Sequence, residues 1–169
     1  VKEIDGDAIG DASRLRLPAL PKVRKKPIEL LRANNKKQLD EQPWTLGMIE
    51  SVAAVELMEK QKLETKNRIA LLLLDSTFEI ALKEFVVHRT DLFPGINLKT
   101  FFQTRNNGLD QIALKVSIGK KHIDRAKHYY LLRNSLVHER ATVDVTEHDV
   151  ITYKKTVQKV LSVLFDLRF

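Results

Sequence analysis

The stretch TKNRIALLLLDSTFEIALKEFVVHR, residues 65–89, decides the fold. Its apolar residues recur at helical spacing, and its length allows about seven turns. From Ile69 to Leu74 the run is apolar without a break, so this half of the helix is apolar on every side. A helix of this kind is enclosed by its neighbours, and we therefore expect residues 65–89 to form the central helix of a bundle.

Helical signals continue on both sides of this central segment. Upstream, a helix is predicted over residues 45–60, capped by its first residue, a threonine. Downstream, Pro94-Gly95 interrupts the chain, and a short helix is predicted at about 97–105. The turn signal Asn106-Asn107-Gly108 ends that helix, and another short helix is predicted at 109–116.

The C-terminal part of the chain carries two longer helices. The first is predicted over residues 119–138, and its apolar stripe contains Ile123, Ala126, Tyr130 and Val137. The second begins near Thr146, which stands three residues before Asp149 at capping-box spacing. Together these signals predict an all-α fold, an up-and-down helical bundle of four to five helices.

Residues 1–44 differ in composition from the rest of the chain. Four of the five prolines lie here, and each removes a backbone donor and disfavours helix before it. Residues 13–37 contain nine Lys or Arg against one acid, so the excess behind the net charge of +7 lies in this segment. We predict a basic, proline-containing linker or N-terminal extension over residues 1–44, with one short helix at 28–39. A helical domain over residues 45–169 follows, and such a connector suggests the C-terminal module of a larger protein.

Composition excludes several classes of function. The chain has no cysteine, which excludes disulfides and cysteine metal sites and fits a reducing cytoplasm. Its longest apolar run is far shorter than a membrane span, so no membrane partner is expected. The sequence has no Gly-rich phosphate loop, and its histidines lack partners at metal-ligand spacing. We expect a cytoplasmic protein that uses no metal and no cofactor.

The segment Arg133-Asn-Ser-Leu-Val-His138 closes the 119–138 helix and places polar residues on or beside its apolar stripe. Burying such groups unpaired costs roughly 1–3 kcal/mol, so they need a partner or a function. Asn134 and His138 are one turn apart and share a face, whereas Arg133 and His138 are about 140° apart around a regular helix. Either the helix unwinds near His138, or two copies of the domain build a shared site.

This segment, placed before the last helix of a small bundle, resembles the Arg-polar-x-x-x-His motif of HEPN (higher eukaryote and prokaryote nucleotide-binding) domains. The stretch Ala70-Leu-Leu-Leu-Leu-Asp-Ser-Thr-Phe-Glu-Ile-Ala-Leu-Lys83 is similar to the family's apolar helix that ends in an acid and a lysine. The resemblance covers about residues 45–169 and implies a metal-independent endoribonuclease whose active site forms across a homodimer. Modules of this family are common in toxin–antitoxin and antiviral defence systems, often fused to a sensor domain upstream.

The resemblance also implies roles for particular residues. By position, Arg133, Asn134 and His138 match the motif as catalytic residues, and Glu79 is a weaker match to a supporting acid. Histidine titrates near neutrality and can move the proton of the ribose 2′-hydroxyl or of the leaving oxygen. Arginine offers a planar fork of donors to the phosphate, and Asn134 orients the histidine or the phosphate.

We expect the basic residues near the motif to form an RNA-binding surface. Residues 115–140 contain seven Lys or Arg against two acids, a surplus that suits a polyanion. The RNA-binding residues predicted from this surplus are Lys120, Lys121, Arg125, Lys127 and Arg140. Tyr129 and Tyr130 could stack on bases, although core packing is favoured for Tyr130.

Less specific interpretations stay open. A non-catalytic HEPN-like module for dimerisation, RNA binding or partner docking would use Arg133 in a structural ion pair, and a purely structural bundle is a third interpretation. Glu79 and Lys83 are four residues apart and suited to pair with each other. The solvated face of the last helix is expected to carry Lys154, Lys155 and Lys159.

Overall fold

The computed structural model describes residues 27–138 and 143–169. Within these ranges the chain is all-α, as the sequence predicts, with eight α-helices and no strand. The helices are α1 (Pro27–Asn34), α2 (Lys36–Glu41), α3 (Leu46–Glu59), α4 (Lys66–His88), α5 (Leu98–Phe101), α6 (Arg105–Lys115), α7 (Lys120–His138) and α8 (Glu147–Phe165). The count exceeds the predicted four to five because α1, α2 and α5, of four to eight residues each, surround the longer helices.

The central helix is α4, as predicted. It packs against α3, α6, α7 and α8. Its buried side chains are Ala70, Leu71, Leu74, Asp75, Thr77, Phe78, Ala81, Leu82, Phe85 and Val86. The enclosure is incomplete, because Ile69, Ile80 and Val87 lie along one line of the helix and are between 40% and 54% exposed. The apolar run in the first half of α4 therefore does not mean burial on every side.

The long helices alternate in direction around α4. Asn67, near the start of α4, donates to the carbonyl of Val145 just before α8, and the rings of Phe85 and Phe165 meet near the other ends. α8 therefore runs parallel to α4. α7 runs antiparallel to α8, since Tyr129 of α7 stacks on Tyr153 of α8, whereas His122, earlier in α7, lies near Lys159, later in α8. This arrangement brings the middle of α4, α7 and α8 together.

Two helix starts depend on local capping. At α8, Thr146 and Asp149 form the predicted capping box, with each side chain accepting from the other's backbone N–H. At α6, the Thr104 hydroxyl accepts from the backbone N–H of Asn107, so the helix begins at Arg105. The predicted turn at Asn106-Asn107-Gly108 is wrong, because a threonine cap starts a helix through these residues. Gly108 also packs directly under the ring of Phe102, which leaves no space for a side chain.

Residues 27–44, predicted as part of an extension, pack against the helical body. The predicted 28–39 helix is present as two helices, α1 and α2, divided at Asn35. The buried Asn35 amide donates to the carbonyl of Arg168 at 2.7 Å and accepts from the Arg168 N–H at 2.7 Å. Composition could not reveal this anchor, because its partner lies at the far end of the chain. Residues 1–26 of the predicted extension lie outside the described residues.

We predict that Gly108→Ala destabilises the protein by about 1–3 kcal/mol, the usual cost of overpacking, because the added methyl group meets the ring of Phe102. Gly47 in α3 is the matched control, since nothing lies within 4 Å of a Cβ built there. Gly47→Ala should stabilise the protein by up to about 1 kcal/mol through helix propensity. Urea denaturation measures both free energies of unfolding, and equal stabilisation by the two variants would contradict the close approach at Gly108.

Candidate active site

A fully buried carboxylate on α4 organises the residues around Arg133. The Asp75 side chain has no exposed surface. One of its oxygens accepts from the Arg105 guanidinium of α6 and from the Tyr153 hydroxyl of α8, the latter at 2.7 Å. The other oxygen accepts from Nε of Arg133 on α7 at 2.7 Å. Burial raises the pKa of the Tyr153 phenol well above its ordinary value, so this hydroxyl stays protonated and donates.

Arg105 is the enclosed cation of this cluster. Its guanidinium also donates to the carbonyl of Ala126 at 3.0 Å, and its side chain is 3% exposed. It lies over the rings of Phe78 and Tyr130, with the guanidinium carbon 5.1 and 4.5 Å from the ring centroids. Such desolvated cation–π contacts, together with Asp75, stabilise a charge that water cannot reach.

The sequence reasoning missed Asp75, Arg105 and Tyr153. The available signal was the carboxylate of Asp75, which follows the unbroken apolar run on the face of α4 that must be buried. A buried carboxylate requires a cation. The identity of that cation does not follow from spacing, because Arg105 is thirty residues away in sequence and begins a different helix.

Arg133 stands at the accessible edge of the same cluster. Its side chain is 23% exposed, and its Nη2 lies 3.5 Å from Oε2 of Glu79. Burial opposes the charge, yet the hydrogen bond and charge of Asp75 leave the pKa of Arg133 above its ordinary value. Glu79 also accepts from Lys83 at 2.6 Å, which confirms the predicted pair. Glu79 therefore lies beside Arg133, and the guanidinium of Arg133 is paired with two carboxylates, those of Asp75 and Glu79.

Asn134 and His138 lie on a different side of α7 from Arg133. Asn134 is half-buried, whereas His138 is exposed and is the last residue of the helix. Since α7 stays helical through His138, the helix does not unwind, and Arg133 and His138 leave it about 140° apart. Within the described residues, neither Asn134 nor His138 has a side-chain hydrogen bond. Arg133 and His138 of one chain therefore leave α7 on different sides.

The two tyrosines beside the motif have different surroundings from those expected. Tyr129 is 4% exposed and stacks on Tyr153 with the ring centroids 4.7 Å apart, so it has no face for a base. Tyr130 is half-buried between Arg105 and Arg133. The apolar face of α7 also differs from the predicted stripe: its buried residues are Ala126, Tyr129 and Leu136. A polar cleft of about 200 Å³ opens beside Tyr130, and it is lined by Glu79, Lys83, Phe102, Gln103, Thr104 and Arg105.

The predicted RNA-binding cations are divided between faces of α7. Lys120 and Lys127 precede His138 by eighteen and eleven residues, so they lie within about 20° of it around the helix. Lys127 is bound to Asp110 at 2.7 Å. Lys121 and Arg125 lie on another side, toward α8, and Arg140 is outside the described residues. A belt that is continuous in sequence is therefore two separate groups in space.

The expected solvated face of α8 is only partly correct. Lys155 and Lys159 are exposed. Lys154 is 13% exposed and pairs with Glu59 of α3 at 2.7 Å, so it belongs to a contact between helices. The reason is the position of α3 beside α8, which the pattern of α8 alone does not contain.

The described residues form neither a cluster of metal ligands nor a membrane-spanning helix. They contain no group of three or more His, Asp or Glu close enough to hold a metal ion. No helix there is both long enough and apolar enough to cross a membrane. The motif side chains of α7 are an arginine paired with two carboxylates, a half-buried asparagine and an exposed histidine.

Comparison with family models, curated proteins and solved structures found no match to this chain. Its function must therefore be inferred from the motif and from the geometry around it. The geometry offers two interpretations of Arg133, as a ligand to a substrate phosphate or as an ion pair between helices.

We predict that Asp75→Asn lowers the free energy of unfolding by about 3–5 kcal/mol, because it leaves the buried charge of Arg105 without a counter-charge. Asp110→Asn is the matched control. It removes the exposed pair with Lys127 and should cost less than about 1 kcal/mol. Urea denaturation measures both values, and a similarly small loss for the two variants would show that Asp75 is not a constraint on the fold.

Proposed function

We propose that this chain is a metal-independent endoribonuclease of the HEPN type, with an active site completed by a second copy of the chain. The observation that carries the proposal is the state of the motif residues on α7. Arg133 is paired with Asp75 and Glu79, and the imidazole of His138 is exposed and has no hydrogen-bond partner among the described residues. A fixed cation and an unengaged acid–base group are what phosphodiester cleavage without metal requires.

The proposed reaction is attack of a ribose 2′-hydroxyl on the adjacent phosphorus. The P–O5′ bond breaks, and the products are a 2′,3′-cyclic phosphate and a 5′-hydroxyl end. His138 takes the proton of the 2′-hydroxyl or delivers a proton to the leaving O5′. Arg133 stabilises the charge that develops on the phosphate oxygens, and Asn134 orients the imidazole or the phosphate.

The helix geometry supports a site shared between two subunits. Since Arg133 and His138 point about 140° apart on an unbroken helix, the phosphate contacted by Arg133 is reached by His138 of the partner subunit. A twofold axis near this end of α7 supplies two such sites. Leu131 and Val137 flank Asn134 and His138, and they are 60% and 55% exposed. Exposed apolar residues of this size beside a site are typical of a surface that another chain covers.

A second candidate function is a non-catalytic module of similar fold that dimerises or binds RNA. The observation that favours it is the engagement of Arg133 by two carboxylates, which leaves 23% of its side chain exposed. In this alternative the Asp75 cluster is purely structural and His138 has no acid–base role. Protein that binds RNA or self-associates, yet cuts no RNA, would favour this second function.

We predict that His138→Ala abolishes RNA cleavage and leaves the fold intact, because the imidazole is exposed at the end of α7. His148→Ala, at an exposed histidine of α8, is the matched control and should retain full activity. Cleavage of a fluorescent oligonucleotide, measured with a chelator present, reports activity. Unimpaired cleavage by the His138 variant, or loss of wild-type cleavage with the chelator, would contradict the proposed chemistry.

We further predict that two inactive variants, Arg133→Ala and His138→Ala, restore activity when they are mixed and allowed to exchange subunits. Half of the dimers are then mixed and each holds one complete site, so about a quarter of wild-type activity should return. Circular dichroism of Arg133→Ala controls for damage to the Asp75 cluster. If two folded variants exchange subunits and no activity returns, Arg133 and His138 do not act across a dimer.

A further inference from the structure

A second group of cations lies between α7 and α8, away from His138. It consists of Lys121 and Arg125 on α7 and Lys159 on α8, with His122 among them. In the described parts of the chain, no carboxylate lies within ion-pair distance of Lys121, Arg125 or Lys159. Most of the other cations near α7 and α8 are neutralised, and those are Arg105, Lys127, Arg133 and Lys154. This group therefore carries positive charge that the fold itself does not compensate.

The imidazole of His122 lies among these cations, and it is the one side chain of the group that can gain or lose a proton near neutral pH. Its Nδ1 is buried, and within the described ranges it has no hydrogen-bond partner. Burial lowers the pKa of His122, and the positive charges of Arg125, Lys159 and Lys121 lower it further. A bound anion would compensate the three positive charges and would therefore favour the protonated ring, although it would not reach the enclosed Nδ1.

The surroundings of the group indicate which kind of anion it suits. The described residues between 119 and 130, and those of α8, include no exposed large hydrophobic side chain. Binding to an anionic membrane needs an apolar face that enters the lipid, and an acidic protein partner needs an apolar or aromatic core of contacts. Isolated cations with a guanidinium among them suit phosphate groups, which arginine contacts through two parallel hydrogen bonds.

The position of the group separates it from the cleavage site. Arg125 precedes His138 by thirteen residues, which places it about 20 Å away along the helix and about 140° around it. The two surfaces therefore cannot contact the same phosphate of a bound RNA. A strand that reaches both has several nucleotides between them.

We propose that Lys121, Arg125, Lys159 and His122 form a phosphate-binding exosite that holds the RNA backbone several nucleotides from the bond that is cut. Binding of phosphates by this group stands on the geometry alone, and the assignment of RNA as the ligand rests on the proposed function. Lys159 and His122 are new members of the RNA-binding surface, and Lys127 lies on the other side of α7, where it pairs with Asp110.

The decisive test compares two variants with the same loss of charge. The exosite variant combines Lys121→Gln, Arg125→Gln and Lys159→Gln. The control combines Lys36→Gln, Lys60→Gln and Lys62→Gln, which are exposed lysines on other parts of the surface. Fluorescence anisotropy measures the binding of a single-stranded 20-nucleotide RNA over a series of salt concentrations. We expect the exosite variant to bind about tenfold or more weakly at low salt, and its salt slope to fall by about 2, the value for three lost phosphate contacts.

An equal loss in both variants would overturn the exosite, because net charge alone would then explain the binding. Tighter binding of the wild type to anionic vesicles or to polyglutamate than to RNA would overturn the assignment of nucleic acid. Circular dichroism of both variants establishes that they are folded before the comparison is made.

The histidine provides a test on the unmodified protein. NMR titration of the five histidines, with and without inorganic pyrophosphate, follows the pKa of His122 directly. The charged groups facing this ring are Lys121 and Arg125 from α7 and Lys159 from α8. A bound phosphate favours the charged ring, so the pKa of His122 should rise and the affinity should increase as the pH falls. The NMR signals of His148 should not respond to pyrophosphate, and an unchanged pKa of His122 would contradict the proposed site.

Cleavage assays separate failure of the exosite from failure of the proposed function. If the proposed function holds, the exosite variant should show a KM about tenfold higher for the 20-nucleotide RNA, with kcat unchanged. Its cleavage of a dinucleotide, which is too short to reach Arg125, should equal that of the wild type. If the wild type cuts no RNA, the proposed function fails, and the binding and NMR measurements still decide whether the exosite exists.

Discussion

The buried carboxylate of Asp75 is the constraint on which the rest of the structure depends. It accepts hydrogen bonds from Arg105 of α6, Arg133 of α7 and Tyr153 of α8, so one side chain of α4 joins four helices. Removing these charges from water costs several kcal/mol per ion, and only good geometry compensates for that cost. Apolar packing alone would tolerate small rotations of α7 about its axis. The hydrogen bonds to Asp75 do not tolerate such rotations, and they determine which face of α7 points outward.

This constraint links the core to the proposed chemistry. Arg105 and Arg133 share one carboxylate, but Arg105 is enclosed by aromatic rings and Arg133 reaches the surface beside Glu79. Arg133 is thus held in place before any substrate arrives, which reduces the reorganisation needed to stabilise a charged transition state. The same engagement limits how far the side chain can move. In the proposed site, the substrate phosphate therefore moves to Arg133, and the arginine side chain stays in place.

The helical period distributes the functional groups of α7 over separate faces. The His138 side carries Asn134 and Lys127, the core side carries Arg133, and the side toward α8 carries Arg125. Residues that form one basic segment in the sequence therefore serve different surfaces. The proposed contribution of a second chain at the His138 face and the proposed phosphate site beside α8 both rest on this distribution.

The sequence by itself determined the features that depend on neighbouring residues. Helical periodicity and capping are local, so α4, α7, α8 and the Thr146–Asp149 capping box could be predicted, as could the Glu79–Lys83 pair. The residues of the candidate site could be named because Arg133, Asn134 and His138 form one short motif. At Asn106-Asn107-Gly108 the turn signal competed with a helix cap, and the predicted turn was wrong. The Thr104 cap and the contact of Gly108 with Phe102 make this segment helical.

Only the tertiary structure decided how those residues are used. The partner of Asn35 is Arg168, and the partners of Asp75 come from three other helices, so no spacing rule contains them. The burial of Tyr129, the pairing of Lys154 with Glu59 and the division of the cations on α7 likewise depend on which helices lie side by side. The physical reason is that removal of polar groups from water is costly and is repaid only by partners that folding brings from distant positions. The residues of the Arg133 motif could therefore be named from the sequence, whereas the pairing of Arg133 with Asp75 and Glu79 and the exposure of His138 were decided by the fold.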